Sequence, residues 1–330
     1  MSLKLPARIA LAAVLLAGLA ALKLNAGPLS PSAGPVAPTY RTLLEVEPRV
    51  PVGPATTPGD ADSVFVISAP GSYYLTGNVT GVASKNGIKI NATNVTLDLN
   101  GFTLTGVTGS LDGIRVSGFA RYGTTIRNGS VNSFGDDGVD FGNSFSYSAE
   151  KLHCAVNAGV GIVGGYNGRI VGCAARSNQS DGILAGDPSV IDSCAAVFNV
   201  GNGIRAAGGC TVINCVAEVN TASGISVSSG CTVRNNQMWN NTTIGLLVTG
   251  TDNRIESNNV SGSTTGIQIA GTGNLILTNS VTSASTAYSI VAHNRYGPIV
   301  NISASGTAAV SGASAPSTLT STDPWANFTY

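Results

Sequence analysis

Apolar and polar residues alternate with a period of two in short segments through most of the chain. Three examples are Ile204-Arg205-Ala206, Ile225-Ser226-Val227 and Ile267-Gln268-Ile269. Such short alternation is typical of a β-strand with one face in a core and the other in solvent. Glycine and asparagine between the segments favour turns and left-handed backbone conformations. The pattern therefore predicts an all-β protein built from many short strands.

The alternating segments recur at a fixed period. A glycine marks the same point of each repeat, and the last six of these glycines are 21 residues apart. The glycines are Gly87, Gly113, Gly138, Gly161, Gly182, Gly203, Gly224, Gly245 and Gly266. Four residues before five of them stand Asn157, Asn178, Asn199, Asn220 and Asn241. Nine or ten residues after the last six stand Ile170, Ile191, Val212, Val233, Ile255 and Ile276. Three aligned positions at one period identify an internal repeat.

The length of the repeat limits the possible repeat architectures. A 21-residue unit is too short for a helix pair, an ankyrin unit or a propeller blade. Three short strands fill it, so we predict one coil of a parallel β-solenoid per repeat, with coils stacked about 4.8 Å apart. Stacked asparagines would then satisfy buried backbone groups of neighbouring coils. About ten coils fit between Val64 and Ala292, whereas a leucine-rich-repeat horseshoe lacks its leucine framework here.

Five further segments carry a resemblance to a known family. They are 70–78 (Pro-Gly-Ser-Tyr-Tyr-Leu-Thr-Gly-Asn), 95–101 (Val-Thr-Leu-Asp-Leu-Asn-Gly), 135–140 (Gly-Asp-Asp-Gly-Val-Asp), 252–256 (Asp-Asn-Arg-Ile-Glu) and 323–328 (Asp-Pro-Trp-Ala-Asn-Phe). Together with the stacked glycine units they resemble right-handed parallel β-helix repeat proteins of the pectin-lyase-like superfamily, and among these a set of secreted bacterial proteins of the kind found in planctomycetes. The resemblance implies a single-stranded right-handed parallel β-helix. It implies no single activity, because the superfamily includes pectate lyases, polygalacturonases, uronan epimerases, phage tailspikes and adhesins.

Residues 1–26 have the pattern of a secretory signal peptide. Lys4 and Arg8 precede an apolar run at 9–22, and residues 24–26 (Leu-Asn-Ala) offer a small-residue cleavage site. The run is shorter than the roughly 20 residues of a membrane span, and an uncleaved anchor is the alternative. We expect the mature chain to be secreted, periplasmic or on the cell surface of a bacterium, without a transmembrane segment.

Composition narrows the classes of function. Only 10% of the 330 residues are charged, against about 25% in an ordinary domain, which is too few for the solvent faces of long helices. Without residues 1–26, 14 basic and 17 acidic side chains remain, and this weakly acidic balance argues against nucleic acid as a partner. Residues 27–62 hold eight of the 14 prolines and form an extended spacer or N-terminal cap. The predicted β-helix occupies 63–292, and a C-terminal tail or cap occupies 293–330.

The six cysteines fall within the repeats. One repeat position holds Cys173, Cys194 and Cys215, with Cys154 on the preceding coil, and another holds Cys210 and Cys231. Two interpretations stay open. The cysteines replace asparagine or valine as small inward side chains, or a pair on adjacent coils forms a disulfide, with Cys210 and Cys231 as the first candidate. The only histidines are His153 and His293, so we expect neither a zinc nor a copper site.

The residues directly before the repeat glycines form an acid-rich row. It begins Asn86, Asp112, Asp137, Val160, Asp181 and Asn202. Asp112 and Asp137 are expected about 5 Å apart at the backbone, with Asp136 and Asp140 beside them in sequence. Aspartate before glycine is ordinary turn chemistry. The alternatives are a ligand site formed by Asp112, Asp136 and Asp137, a calcium site at Asp112 and Asp137, or the acid and nucleophile of a retaining glycosidase.

A second row points outward, two residues after the repeat glycine, and begins with Lys89, Arg115 and Asp140. In polysaccharide lyases of the fold that the chain resembles, Arg or Lys is the base and calcium-bound acids neutralise the uronate. The resemblance therefore makes Asp137, Asp140, Arg115 and Lys89 candidate catalytic residues. Polygalacturonases of the same superfamily need Asn-Thr-Asp, Asp-Asp and Gly-His-Gly blocks, of which only Asp136-Asp137 occurs.

Two functions of different classes follow. The first is an exported protein with a non-catalytic structural, glycan-binding or adhesive role, without a cofactor. The second is a polysaccharide lyase, glycoside hydrolase or uronan epimerase that uses the outward face of the N-terminal coils, with calcium as its only candidate cofactor. A third option is end-to-end self-association into fibres, because a solenoid must cover its terminal strand edges. Trp325, Phe328 and Tyr330 are expected to cap the last coil, to dock on its flank or to contact a neighbouring molecule.

Overall fold

The regular structure of the described chain consists of β-strands. The computed structural model describes residues 47–301 and 323–329, and no helix occurs in these ranges. Accordingly, nothing within 47–301 or 323–329 has the length and hydropathy of a membrane-spanning helix. The predicted signal peptide, most of the predicted spacer and Tyr330 lie outside the described residues.

The strands are short and follow one another around the coils. The first group is β1 (Val50–Pro51), β2 (Ser63–Ile67), β3 (Gly71–Tyr74), β4 (Val79–Thr80), β5 (Asn86–Ile90), β6 (Val95–Asp98), β7 (Thr103–Thr105), β8 (Ile114–Val116), β9 (Thr125–Asn132), β10 (Val139–Asp140) and β11 (Ser148–Ala155). The middle group is β12 (Ile162–Val163), β13 (Arg169–Val171), β14 (Ala174–Arg176), β15 (Ile183–Ala185), β16 (Val190–Asp192), β17 (Ala195–Val197), β18 (Ile204–Ala206), β19 (Thr211–Ile213), β20 (Val216–Glu218), β21 (Ser223–Val227), β22 (Thr232–Arg234) and β23 (Gln237–Trp239). The last group is β24 (Ile244–Val248), β25 (Arg254–Glu256), β26 (Asn259–Ser261), β27 (Thr265–Ile269), β28 (Leu275–Leu277), β29 (Ser280–Thr282), β30 (Thr286–Ile290), β31 (Arg295–Tyr296), β32 (Ile299–Asn301) and β33 (Asn327–Thr329).

All strand pairs are parallel, and the strands form three faces. Face 1 is the sheet of β2, β5, β8, β10, β12, β15, β18, β21, β24, β27 and β30. Face 2 contains β1, β3, β6, β13, β16, β19, β22, β25, β28 and β31, and face 3 contains β4, β7, β14, β17, β20, β23, β26, β29, β33 and β32. The longer strands β9 and β11 run through both face 2 and face 3. The predicted parallel β-solenoid is confirmed, and face 1 has eleven strands where we expected about ten coils.

The interior is a stack of aliphatic side chains. Face 1 contributes residues such as Ile162, Ile183 and Ile204, which are fully buried and in register with one another. Face 2 contributes the predicted ladder, in which Ile170 lies opposite Ile191 and Ile191 opposite Val212. Each such side chain is removed from water on all sides, and the hydrophobic effect therefore acts along the whole length of the coil stack.

Most corners of the regular coils are formed by the same pair of consecutive residues. The first residue has a left-handed backbone, and the second points its side chain inward. Between face 3 and face 1 the inward residues are the predicted asparagines, and Nδ2 of Asn157 donates to Oδ1 of Asn178 at 3.0 Å. The backbone N–H of Asn157 donates to the same oxygen at 3.1 Å. The asparagine ladder thus satisfies buried amide groups that water cannot reach.

Cysteines occupy the same inward position at the other two corners. One column runs Cys173, Cys194, Cys215, Asn236, Asn258 and Asn279, and the other runs Cys210, Cys231, Asn253, Asn274 and Asn294. All six cysteines are buried free thiols. Sγ of Cys231 donates to the carbonyl oxygen of Ala207 at 3.1 Å, and the disulfide between Cys210 and Cys231 stays a prediction. Cys154 lies outside both columns, in register with Ala175 on face 3.

The segment before the first coil folds onto it. β1 pairs with β3, and Val52 and Thr57 are buried. The carbonyl oxygen of Thr57 accepts the N–H of Val66, a residue of β2. Part of the predicted spacer or cap therefore packs against the N-terminal end of the solenoid.

The C-terminal tail becomes part of the solenoid wall. β33 lies between β29 and β32, so that Phe328 is opposite both Ser280 and Val300. Phe328 is half-buried and Trp325 is exposed. The tail thus extends face 3 as an additional strand.

Candidate functional site

The register of face 1 brings the predicted outward residues together. Lys89 of β5 lies opposite Arg115 of β8, and Arg115 lies opposite Asp140 of β10. The next outward residues are Val163 and Leu184. The charged outward residues are therefore concentrated in the N-terminal coils, and a further one, Arg205 of β18, is paired with Asp181.

Lys89 is held by the segment that precedes the first coil. Its Nζ lies 2.5 Å from Oδ2 of Asp60 and 2.7 Å from Oδ1 of Asp62. The hydrogen bonds that Lys89 donates to Asp60 and Asp62 raise the pKa of Lys89. The bond to Asp60 also lowers the pKa of that carboxyl group to about 2. A lysine that is kept protonated in this way is poorly suited to act as a general base.

The carboxylates of the acid-rich row hydrogen-bond to the backbone of the next coil. Oδ1 of Asp112 accepts the N–H of Asp137 at 3.1 Å, and Oδ1 of Asp137 accepts the N–H of Val160 at 2.6 Å. Oδ2 of Asp112 accepts Nη1 of Arg115 at 3.0 Å. The row is thus a side-chain ladder that joins successive coils.

Burial changes the acidity of this ladder. It raises the pKa of the fully buried Asp112 to about 6, and the charge of Asp140 adds to the shift. Burial raises the pKa of Asp137 to about 7, although the hydrogen bond from Val160 acts against it. The pKa of Asp140 is also raised by burial, while its Oδ1 accepts the N–H of Gly142 at 2.6 Å. Carboxyl groups with such raised pKa values occur both in structural networks and in catalytic sites.

Asp112, Asp136 and Asp137 also form the acidic cluster that would receive a cation. One oxygen of each lies within 4.8 Å of the others. Calcium takes six to eight oxygen ligands, yet both oxygens of Asp112 and one of Asp137 already accept hydrogen bonds. Calcium binding at Asp112 and Asp137 stays a prediction.

An exposed aromatic stripe lies at the corner between face 1 and face 2. We define it as Tyr122, Phe145 and Tyr166, which pair in parallel register on three successive coils. The rings of Phe145 and Tyr166 are stacked, with centroids 5.3 Å apart and an interplanar angle of 27°. Tyr122 is 52% exposed and Tyr166 is 39% exposed. The stripe therefore places three partly exposed aromatic rings next to one another along the solenoid axis.

A buried tyrosine supports the stripe from below. Tyr147 packs against Phe141 with ring centroids 4.7 Å apart, and its hydroxyl donates to Oγ of Ser189 at 3.3 Å. A Cβ at Gly168 would lie 2.1 Å from Cδ1 of Tyr147. The absence of a side chain at Gly168 therefore makes room for the ring that fixes this corner.

A loop and a groove flank the stripe. Nη2 of Arg121 donates to Oδ1 of Asn91 at 2.6 Å and holds the loop on which Phe119 is 84% exposed. On the other side, a shallow groove is lined by Gly142, Gly164, Tyr166, Leu184 and Asp187. Aromatic rings, a carboxylate and backbone groups thus lie close together at this corner.

Sequence reasoning missed the stripe and the partners of Lys89. Tyr122, Phe145 and Tyr166 recur at intervals of 23 and 21 residues, close to the repeat, and an alignment of coils by length would have exposed them. No periodic spacing identifies Asp60 and Asp62, because they precede the first repeat.

Comparison with known proteins bears on the fold. The family model described as "Right handed beta helix region" matches residues 158–309. No curated protein sequence matches the chain.

Three solved structures share the architecture at low sequence identity. The A-module of mannuronan C-5 epimerase AlgE6 of Azotobacter vinelandii has a TM-score of 0.58 and 17% identity, over 75% of this chain and 86% of that chain. Pectate lyase Pel9A has a TM-score of 0.52 and 13% identity, over 68% and 70% of the two chains. The Dettilon tailspike protein has a TM-score of 0.52 and 17% identity, and the match covers 71% of this chain and 58% of that one. Identities this low concern the fold alone.

Proposed function

Because the chain is a right-handed parallel β-helix protein with the fold of the pectin-lyase-like superfamily, we propose that it binds an extracellular polysaccharide without cleaving it. The observation that carries this proposal is the aromatic stripe of Tyr122, Phe145 and Tyr166. The polymer lies along the solenoid axis, over the stripe and beside the groove at Leu184 and Asp187.

The chemistry of the stripe suits a sugar polymer. The face of an aromatic ring is electron-rich and attracts the C–H groups on the apolar face of a pyranose ring. Coils stack about 4.8 Å apart, so a repeating polymer meets an equivalent position once per coil. Hydroxyl groups at the edge of the sugar ring find a polar partner in Asp187, which lines the groove beside Tyr166.

The state of the charged residues supports binding in preference to catalysis. Lys89 is paired with Asp60 and Asp62, and Arg115 is paired with Asp112. A catalytic base or acid must reach the substrate with a free lone pair or proton. Since these groups are engaged with one another, the outward face is better suited to hold a glycan than to transform it.

Contact with an extracellular polysaccharide requires export of the chain. That part of the proposal rests on the signal-peptide pattern of residues 1–26. Recovery of the mature chain outside the cytoplasm, with its new N-terminus near residue 27, is the corresponding measurement.

One observation favours catalysis as a second candidate function. Asp112 and Asp137 have pKa values raised to about 6 and about 7, in the range where a carboxyl group exchanges protons near neutral pH. A lyase, hydrolase or epimerase would use Asp137 with Asp140 and Arg115. In that case Asp137→Asn abolishes product formation while the fold and glycan binding persist.

The binding proposal is tested by a glycan array together with a degradation screen on alginate, pectate and neutral glucans. Tyr122→Ala and Tyr166→Ala should each weaken binding about 5- to 150-fold, if a sugar ring is assigned the roughly 1–3 kcal/mol that a nucleic-acid base gains by stacking on an aromatic ring. Tyr296→Ala, an exposed tyrosine of β31 at the other end of the solenoid, is the matched control and should bind normally. Release of oligosaccharides by the wild type would support the second candidate instead. Absence of binding to every glycan, or equal binding by all three variants, contradicts the proposed site.

A further inference from the structure

One column of residues at the corner between face 3 and face 1 has a left-handed backbone on eight successive coils. Its members are Ser133, Val156, Ser177, Phe198, Val219, Asn240, Gly262 and Ser283. Serine, asparagine and glycine tolerate this conformation because they have small or locally hydrogen-bonding side chains. Val156, Phe198 and Val219 do not fit that description, and a β-branched residue with positive φ is a genuine outlier.

Two of these three exceptions, Val156 and Phe198, are also exposed to solvent. Val156 is 56% exposed and Phe198 is 47% exposed, so they add backbone strain without the compensation of burial. Strained residues persist where the surrounding structure or a function requires them. Nothing within the described coils requires an apolar side chain here, since serine or asparagine serves at the same point of other coils.

The adjoining part of face 3 is flat and mostly apolar. Its outward side chains on β14, β17 and β20 include Ala174, Ala195 and Val216, and Val197 lies at the centre. On the next coil Trp239 is 48% exposed. We call this surface, with Val156, Phe198 and Val219, the face 3 patch. A contiguous exposed apolar surface of this kind marks an interaction site.

Two opposite charges lie symmetrically about the centre of the patch. Arg176 is one coil before Val197, and Glu218 is one coil after it, in the same outward column. The guanidinium of Arg176 lies over the ring of Phe198, 5.5 Å from its centroid. Within the described part of the chain, neither Arg176 nor Glu218 forms an ion pair.

We propose that the face 3 patch is the interface of a homodimer in which two solenoids pack side by side and antiparallel. The two-fold axis is parallel to the strands and passes through the coil of β17. This rotation keeps each outward column over its own equivalent and reverses the order of the coils. Arg176 then faces Glu218 of the second copy, and the same pair forms a second time by symmetry.

The remaining positions of the column are also complementary under this rotation. Ala155 faces Trp239 of the second copy, so a small side chain meets a large one. Val197 meets Val197 of the second copy, and Phe198 meets its own equivalent. A surface that matches itself in both charge and size is what an isologous interface requires. The aromatic stripe lies at the corner opposite face 3, so the proposed dimer leaves both stripes accessible.

This association differs from end-to-end fibre formation. It uses the flank of the solenoid and closes after two copies, whereas strand-edge pairing continues indefinitely. A folded terminal segment covers part of the N-terminal edge, where Thr57 accepts the N–H of Val66. The flank carries no such covering segment among the described residues.

The test is the oligomeric state of the full chain by sedimentation equilibrium. The wild type should be a dimer at micromolar concentration. Arg176→Glu and Glu218→Arg should each weaken dimerisation about 100-fold or more, because each places like charges opposite one another twice. The double variant should restore the dimer, which a general folding defect would not do. A monomeric wild type, or a double variant no better than the single ones, overturns the proposal.

A second measurement distinguishes an effect on dimerisation from an effect on folding stability. Phe198→Asn should abolish the dimer and raise the unfolding temperature of the monomer, because asparagine relieves the strained conformation. Ser283→Asn changes the same column outside the patch and should leave dimerisation unaltered. Loss of the dimer in both variants, or a retained dimer in Phe198→Asn, contradicts the assignment of the patch.

Discussion

Asn279 donates both its backbone N–H and its side-chain amide to Oδ1 of Asn327, at 3.0 and 3.2 Å, across 48 residues of sequence. Asn327 thereby becomes the last member of the ladder that contains Asn236 and Asn258. The hydroxyl of Tyr288 donates to the carbonyl oxygens of Asn279 and Phe328 and stabilises the same contact between the tail and the last coils. The chain terminus is thus joined to the solenoid by the same interaction that joins its coils.

Asn327→Ala should lower the stability of the last coils. The substitution leaves the N–H and amide of the fully buried Asn279 without the acceptor Oδ1, and an unsatisfied buried polar group costs about 1–3 kcal/mol. β33 should therefore become sensitive to protease before the rest of the solenoid does. Limited proteolysis and the midpoint of thermal unfolding measure both effects. Asn143→Ala, at an exposed asparagine, is the control, and an equal response of the two variants would contradict the role given to Asn327.

The stability of the protein should fall as pH rises from about 4 to about 7. Burial raises the pKa of Asp112 to about 6 and of Asp137 to about 7 in the folded chain, whereas an unfolded aspartate titrates near 3.9. The folded state therefore binds these protons more tightly than the unfolded state does. The resulting stabilisation is complete below about pH 4 and is lost as pH rises through the folded pKa values. Asp60, with its pKa lowered to about 2, changes stability only below this window.

Asp137→Asn isolates the contribution of the acid-rich row. The amide oxygen still accepts the N–H of Val160, but the side chain no longer titrates and no longer repels Asp112. Urea unfolding across the same pH range should give a flatter profile than the wild type, with the largest gain in stability near pH 7. Asn143→Ala, on the same coil, should keep the slope of the wild type. An unchanged slope in Asp137→Asn would show that this carboxyl group does not cause the pH dependence of stability.

Gly168→Ala should destabilise the coils beneath the aromatic stripe. The new Cβ would lie 2.1 Å from both Cδ1 and Cε1 of Tyr147, which is buried against Phe141 and tied to Ser189. Overpacking of this kind costs about 1–3 kcal/mol, and the displaced ring should also disturb Phe145 and Tyr166. Gly77→Ala, where no atom lies within 4 Å of the new Cβ, is the matched control in the same thermal unfolding assay.

The parts of the fold that repeat could be predicted, and the parts that occur once could not. Asn157 and Asn178 are recognisable because each coil repeats the same corner after 21 residues, and polar residues at a fixed period among aliphatic ones indicate an inward ladder. The first coils are longer, with 25 residues from Asp112 to Asp137 and 23 from Asp137 to Val160. Because of these unequal lengths, a fixed period of 21 residues does not align the residues of the aromatic stripe. The side-by-side position of Lys89 and Arg115 was still predictable.

The partners of the charged residues depend on contacts outside the repeat. Lys89 meets Asp62, 27 residues earlier, only because the preceding segment folds back onto the first coil. No periodicity specifies that contact, and Arg115 likewise bonds to Asp112 within its own coil. Sequence position predicted which charges share a face, and the packing of the N-terminal segment determines which of them are neutralised.

Cys215→Asn should stabilise the protein by about 0.5–1.5 kcal/mol, because it extends an existing hydrogen-bond ladder by one coil. The N–H of Cys215 already donates to Oδ1 of Asn236 at 2.9 Å, and Nδ2 of Asn236 donates to the carbonyl oxygen of Val212. An asparagine at 215 can make the equivalent bonds to Asn236 and to the carbonyl oxygen of Ile191, which Sγ now contacts at 3.7 Å.

Cys154→Asn is the matched control for this substitution. Cys154 is also fully buried, but it lies among Val131 and Ala175 on face 3, outside the ladder columns. An amide there has no ladder partner, and its burial should cost about 1–3 kcal/mol. Urea unfolding under reducing conditions, so that no disulfide contributes, compares the two variants. Equal destabilisation by both would mean that the cysteine columns cannot accept asparagine, and that the thiols are required by packing instead.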